Sequence, residues 1–253
     1  MIISRSKKFI FLHSRKTAGT YISALLYNFL ENNDLILGTL EDIYNLNKFN
    51  LKNHLDFLNI LNINHTYKSL IKTLYNRKNF GFFINKFYKY KYTKKYINPP
   101  HMPYSHVIEN FPECKNFFKF CFVRNPYDYA VSDYLWRIKN SKKFKNLSFF
   151  DYLNIKLNCL EHTIIAEPKT NWPIYTLKNE VKVDFVGRFE NIDEDLKIIF
   201  SKLNLDTKYL DVKSKPLKKN LARQDYRAYY TKKERLIVEK LHHKEIEKFK
   251  YEF

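Results

Sequence analysis

The segment Phe9-Ile10-Phe11-Leu12-His13-Ser14-Arg15-Lys16-Thr17-Ala18-Gly19-Thr20 restricts the possible folds more than any other. An apolar strand runs into a short basic, hydroxyl-bearing turn, and a helix follows at once. Lys16 supplies a mobile cation and Thr17 and Thr20 supply hydroxyl donors. Gly19 lets the backbone come close to a ligand, and the unpaired N–H groups of the helix start add partial positive charge. An anionic nucleotide fits that set of donors. Beyond the turn, Ile22, Leu25, Leu26 and Phe29 recur at helical spacing, so one helix face packs on a sheet while its start points at the ligand.

A second strand-turn-helix unit begins at Phe117-Phe118-Lys119-Phe120-Cys121-Phe122-Val123 and turns at Arg124-Asn125-Pro126. Aromatic and β-branched residues favour the strand, and Pro126 suits the first turn of a helix whose apolar side carries Tyr127, Ala130, Val131, Tyr134 and Leu135. Asp128 lies near the positive helix start, and Arg124 lies at the carboxyl edge of the strand, where α/β sheets bind ligands. A third strand is expected at Val181–Gly187, followed by Arg188-Phe189-Glu190-Asn191 and a helix through Leu196, Ile199, Phe200 and Leu203. Strands alternating with helices imply a parallel sheet. The tail from Tyr229 to Phe249 reads as helix and ends in the aromatic residues Phe249, Tyr251 and Phe253.

Residues from about 34 to 96 break this rhythm. They read as a mostly helical insertion within a single domain spanning 1–253, crowded with Lys and Tyr, as in Phe87-Tyr88-Lys89-Tyr90-Lys91-Tyr92. The chain carries 45 Lys and Arg against 26 Asp and Glu, a formal charge of +19. Such a surface attracts phosphates, acidic glycans, nucleic acid or anionic membranes. Abundant Lys, Asn, Ile, Tyr and Phe with only 4 Gly also match the bias of an AT-rich genome, so charge alone selects no partner. Cys114, Cys121 and Cys159 form no CxxC pair and no Cys/His cluster. Neither a disulfide framework nor a metal site is expected, and a reducing compartment is. The apolar run near the N-terminus is too short for a signal peptide or an anchor, so a soluble, cytoplasmic protein without a membrane span is expected.

Three segments together resemble the PAPS-dependent sulfotransferases, especially the branch of carbohydrate sulfotransferases and related bacterial or viral proteins. The 5′-phosphosulfate loop of that family looks like His13–Thr20, its 3′-phosphate motif like Phe122–Asp128 with Ser132 beyond, and its later strand-turn signature like Asp184–Asn191. Each alone is weak, whereas the set in this order is specific. The resemblance covers the first turn and helix and most of the chain from about His101 onward. Two departures stand out: Arg15 replaces the proline common before the lysine, and Tyr21 stands where a small hydroxyl residue is frequent.

The resemblance implies a P-loop-like α/β fold, with a central parallel sheet flanked by helices. It implies a sulfuryl transfer from PAPS to an acceptor hydroxyl or amine, with PAP as product. Arg15, Lys16, Thr17, Ala18, Gly19 and Thr20 would surround the 5′ end of the donor, and Arg124 and Ser132 would hold its 3′-phosphate. Lys16 would stabilise the leaving oxygen. His101 is the expected base, with His106 as the alternate, while His13 supports the loop and Arg188 and Glu190 form a structural pair. The acceptor is expected to be a glycan, with no nucleic acid partner. Two rival readings are a P-loop kinase and a noncatalytic basic protein that binds nucleic acid or acidic glycan. The kinase lacks support because Lys16 precedes Gly19 and no G-x-x-x-x-G-K-[ST] occurs.

Overall fold

The computed structural model of the protein describes residues 1–31, 33–38, 43, 92–158, 169–210 and 224–253. Among these residues the strands are β1 (Ile2–Ser4), β2 (Phe9–Leu12), β3 (Leu35–Ile36), β4 (Phe118–Val123), β5 (Thr176–Leu177), β6 (Glu180–Val181) and β7 (Phe185–Arg188). The helices are α1 (Gly19–Tyr27), α2 (Tyr104–Asn110), α3 (Pro126–Asn140), α4 (Phe149–Asn158), α5 (Trp172–Tyr175), α6 (Ile192–Lys202) and α7 (Lys232–Phe249).

The main sheet has the order β3-β1-β2-β4-β7. Phe9, Phe11, Phe120 and Phe122 are fully buried in β2 and β4, and each contributes roughly 1.5–3 kcal/mol of hydrophobic stabilisation. Every residue of β2 is buried, as a strand covered on both faces requires. Parallel pairing aligns Phe11 with Phe120 and Phe122 with Gly187. The carboxyl ends of β2 and β4 therefore lie side by side, and both expected ligand turns leave from the same edge.

The sheet is mixed rather than wholly parallel. β1 pairs antiparallel with both β2 and β3, because Ser4 and Phe9 are close enough in sequence for a hairpin, whereas parallel neighbours need a longer crossover. Leu35–Ile36, expected inside the insertion, is instead an edge strand of this sheet. Asp34 anchors it: its carboxylate accepts from the amides of Arg5 and Ser6 at 2.6 and 3.0 Å and from the hydroxyl of Ser4 at 2.9 Å. Most of the remaining insertion, including the Phe87–Lys91 run, lies outside the described residues. The expected Val181–Gly187 strand is divided between two sheets. Lys178 and Asn179, with φ of 51° and 64°, turn β5 into β6, a backbone twist suited to two-residue hairpins. The Asp184 amide then donates to Lys119 O at 2.8 Å where β7 joins the main sheet.

α1, α2, α5 and α6 contribute to the core around the sheet, through residues such as Ile22, Val107, Ile174 and Phe200. A second apolar cluster joins α3, α4 and α7 through Val131, Leu153 and Val238. α7 opens with a Thr231/Glu234 capping box, which satisfies amides that the helix itself cannot. No helix among the described residues is long and apolar enough to cross a membrane.

Candidate active site

The loop after β2 is held by a side-chain amide distant in sequence. Asn171 accepts from the Arg15 amide at 2.9 Å and donates to the Arg15 carbonyl at 3.0 Å, clasping both sides of one residue. Lys16 and Ala18 then take left-handed backbone conformations, with φ of 59° and 60°. This is a costly geometry for side-chain-bearing residues and is characteristic of functional turns. Thr17 is buried and its hydroxyl donates to Ser14 O at 2.9 Å, so its proton serves the loop itself. Gly19, at the start of α1, is required by packing: an added Cβ would lie 1.8 Å from Nε2 of His13. The first amides of α1, from Gly19 to Tyr21, lack acceptors within the helix by its geometry.

The second turn joins the first. Arg124 donates from Nη1 to the Lys16 carbonyl at 2.9 Å and to Ser132 Oγ at 3.2 Å, and pairs with Asp128 at 2.6 Å. Its guanidinium lies 4.1 Å from the ring centroid of Phe189. The three segments singled out in the sequence thus converge on one arginine. Asn125 caps α3 by accepting from the Tyr127 amide, while its own amide donates to Glu190 Oε1 at 2.6 Å. Arg188, expected to pair with Glu190, instead donates to Phe249 O at 2.7 Å. Glu190 is drawn to the second turn by the exposed amide of Asn125, and Arg188 is drawn to the helix C-terminus, where unpaired carbonyls attract cations.

His101 lies in the turn Pro99–His101, against the first loop. Its Nδ1 is 2.8 Å from the His13 carbonyl and the two rings meet edge to face at 4.7 Å. A carbonyl only accepts, so Nδ1 carries the proton and the lone pair of the neutral ring resides on Nε2. His13 is buried, and burial together with neighbouring His101 pushes it well below the usual histidine range. His106 faces elsewhere, 3.4 Å from Glu109 on the outer part of α2. Of the two candidate bases, the one brought to the loop is His101.

Behind the loop is a charged hub absent from the sequence reading. Asp133 is fully buried and accepts from Arg15 at 2.9 Å, Arg137 at 3.2 Å, Lys156 at 3.0 Å and the Tyr152 hydroxyl at 2.5 Å. Burial alone would raise its carboxyl, but Lys156, Arg15 and Arg137 together hold it well below the usual range. Arg15 is therefore oriented into this hub. Lys16 is half-buried, with Nζ 5.5 Å from the Trp136 ring centroid. Burial, reinforced by the like charges of Arg124, Arg15 and Arg137 and opposed by Asp133, brings Lys16 down to about 8. Asp133 and Asn171 escaped sequence reasoning because an ordinary helical Asp and a loop Asn carry no motif. The only available signal was the charge of Arg15 itself, whose burial demands a counterion.

Fold and site together define an α/β protein with two cationic turns at the carboxyl ends of adjacent parallel strands. The chain belongs to the sulfotransferase family, whose model matches residues 1–252. A protein of Archaeoglobus fulgidus described as uncharacterized is 39% identical over 97 residues, covering 37% of this chain and 72% of that protein. No solved structure matches the chain.

Proposed function

We propose that the protein is a PAPS-dependent sulfotransferase with a P-loop-like donor site, acting in the cytoplasm on a hydroxyl group of a carbohydrate. The observation that carries this reading is the hydrogen bond from Arg124 to the Lys16 carbonyl. It brings together the two turns that would grip opposite ends of a doubly phosphorylated adenosine. The donor set fits such an anion. Among the described residues, Arg15, Arg137 and Lys156 pair with Asp133, Arg124 pairs with Asp128, and Lys16 lies beside them. Cations gathered at the ends of two adjacent parallel strands suit an anionic ligand.

When bound, PAPS supplies an activated sulfuryl group whose transfer leaves negative charge on a phosphate oxygen. Lys16 provides the cation for that charge, and the left-handed turn with the first amides of α1 presents N–H groups beside it. Arg124 and Ser132 hold the 3′-phosphate, Arg124 as a planar fork and Ser132 as a neutral donor. Arg15 and Thr17 contribute through their backbone and through loop rigidity, since their side chains are committed to Asp133 and Ser14. Nε2 of His101 takes the proton of the acceptor hydroxyl, because Nδ1 is bonded to His13.

Calorimetric titration tests the donor assignment. PAP should bind at least tenfold more tightly than AMP, and Arg124→Ala should erase most of that preference. Labelled PAPS incubated with sugars and phenols then tests the acceptor. Equal affinity for PAP and AMP would overturn the donor reading, and transfer to phenols alone would overturn the carbohydrate reading.

A further inference from the structure

α3 carries more of the site than its motif residues. Ser132, which receives Arg124, is followed one turn later by Trp136, whose side chain shares its face by helical spacing. Trp136 is 50% exposed, and the ammonium of Lys16 lies 5.5 Å from its ring centroid. A flat indole is thus presented to solvent beside the lysine assigned to the reaction. Lys139, Lys142 and Lys145 follow it, all exposed. No acidic residue occurs between Asp133 and Asp151, and among the described residues these three ammonium groups have no ion-pair partner. The contrast with Arg137 and Lys156 is sharp, since both are buried against Asp133.

We propose that Trp136 with Lys139, Lys142 and Lys145 forms the acceptor track. The indole stacks on the apolar face of the sugar that carries the reacting hydroxyl, and the lysines pair with carboxylates on the sugars beyond it. The proposal rests on the sulfotransferase reading above. Exposed lysines alone are a solvated surface worth little. Here they continue an aromatic platform that borders the reacting lysine, so a polymer bound there is held in register with the chemistry. Lysine offers point charges on flexible stems rather than a planar fork, which suits carboxylates at varying orientation. The polymer must combine negative charge with closely spaced hydroxyl groups. A uronate-bearing polysaccharide does so, and DNA does not.

The experiment uses the full chain saturated with PAP and a uronate-containing octasaccharide as the probe. The chain has 2 Trp and Trp172 is buried, so fluorescence quenching by the sugar reports on Trp136. Quenching is expected. The octasaccharide Kd should rise at least tenfold in Trp136→Ala and in the combined Lys139→Glu, Lys142→Glu, Lys145→Glu variant, with Trp136→Phe retaining most of the affinity. Carboxyl-reduced octasaccharide and single-stranded DNA should bind at least tenfold more weakly. Absence of octasaccharide binding, unchanged affinity in either variant, or equal binding of the reduced sugar or DNA would overturn the track. PAP titration of the same samples separates the two readings. A wild-type chain that ignores PAP defeats the sulfotransferase assignment, whereas a lysine variant that keeps both PAP and octasaccharide affinity defeats only the track.

Discussion

Lys16 is the residue on which the proposed chemistry depends most, and its environment makes a pH prediction. Burial and nearby cations bring it to about 8. Only the charged form stabilises a leaving oxygen, so turnover should decline as pH rises through about 8. Lys16→Arg should remove that alkaline decline, and Lys16→Ala should lower kcat on the order of 100-fold or more across the range. The stability effect runs oppositely. Between about 8 and the ordinary lysine value of 10.5, the folded chain holds fewer protons at this site than the unfolded chain, so the cost of burying charged Lys16 is relieved as pH rises through that range. His13 behaves differently because burial keeps it neutral far below 6.5. Acidification below 6.5 charges the unfolded chain first, so urea melts should show stability falling as pH drops through that region. Lys16, Arg124 and Ser132 were legible as a set from residue type and order, and the structure brings the three together. The use of the Thr17 hydroxyl on Ser14 was not, since a turn's internal bonds depend on dihedral angles that composition does not encode.

At the scale of elements, the site depends on how the β2 loop is braced against α1, α3 and α4. Gly19 allows α1 to start directly under the His13 ring. Gly19→Ala should displace that ring, disturb its contact with His101 and cost roughly 1–3 kcal/mol, measurable by denaturant unfolding. Asp133 ties the loop to α3 and α4 through Arg15, Arg137 and Lys156. Asp133→Asn removes the buried carboxylate that faces Arg15, Arg137 and Lys156 and should destabilise the fold by roughly 3–5 kcal/mol. Asp133→Asn should also weaken PAP binding, because the Arg15 side chain loses its ion pair with α3 behind the loop. Helix faces were readable from apolar spacing, and α1, α3, α6 and α7 lie close to their expected spans. Strand partners were harder. A two-residue strand such as Leu35–Ile36 offers no periodicity, and the identity of its neighbour is decided by tertiary packing.

For the whole molecule, three segments distant in sequence, around Lys16, Arg124 and Phe189, meet at Arg124. Ligand binding across that meeting point should stabilise the native chain globally. PAP at a hundred times its Kd corresponds to about 2.7 kcal/mol, or roughly 5–11 °C in Tm for a chain of this size. Added salt should shrink the shift, and Arg124→Ala should abolish most of it, as read by scanning calorimetry. The α/β class and the edge that bears the turns were legible from alternating strand and helix patterns, whereas the antiparallel β1 was not, because hairpin pairing of three residues leaves little pattern. The atom of residue 16 that receives Arg124 belongs to the main chain, and every amino acid has one. A semisynthetic series of lysine analogues with graded amine acidity could therefore be installed at that position without dismantling the joint. Plotting the pH of the alkaline decline against acidity across the series should give a line of unit slope if the charge at that position sets turnover, while nucleotide affinity serves as the internal control.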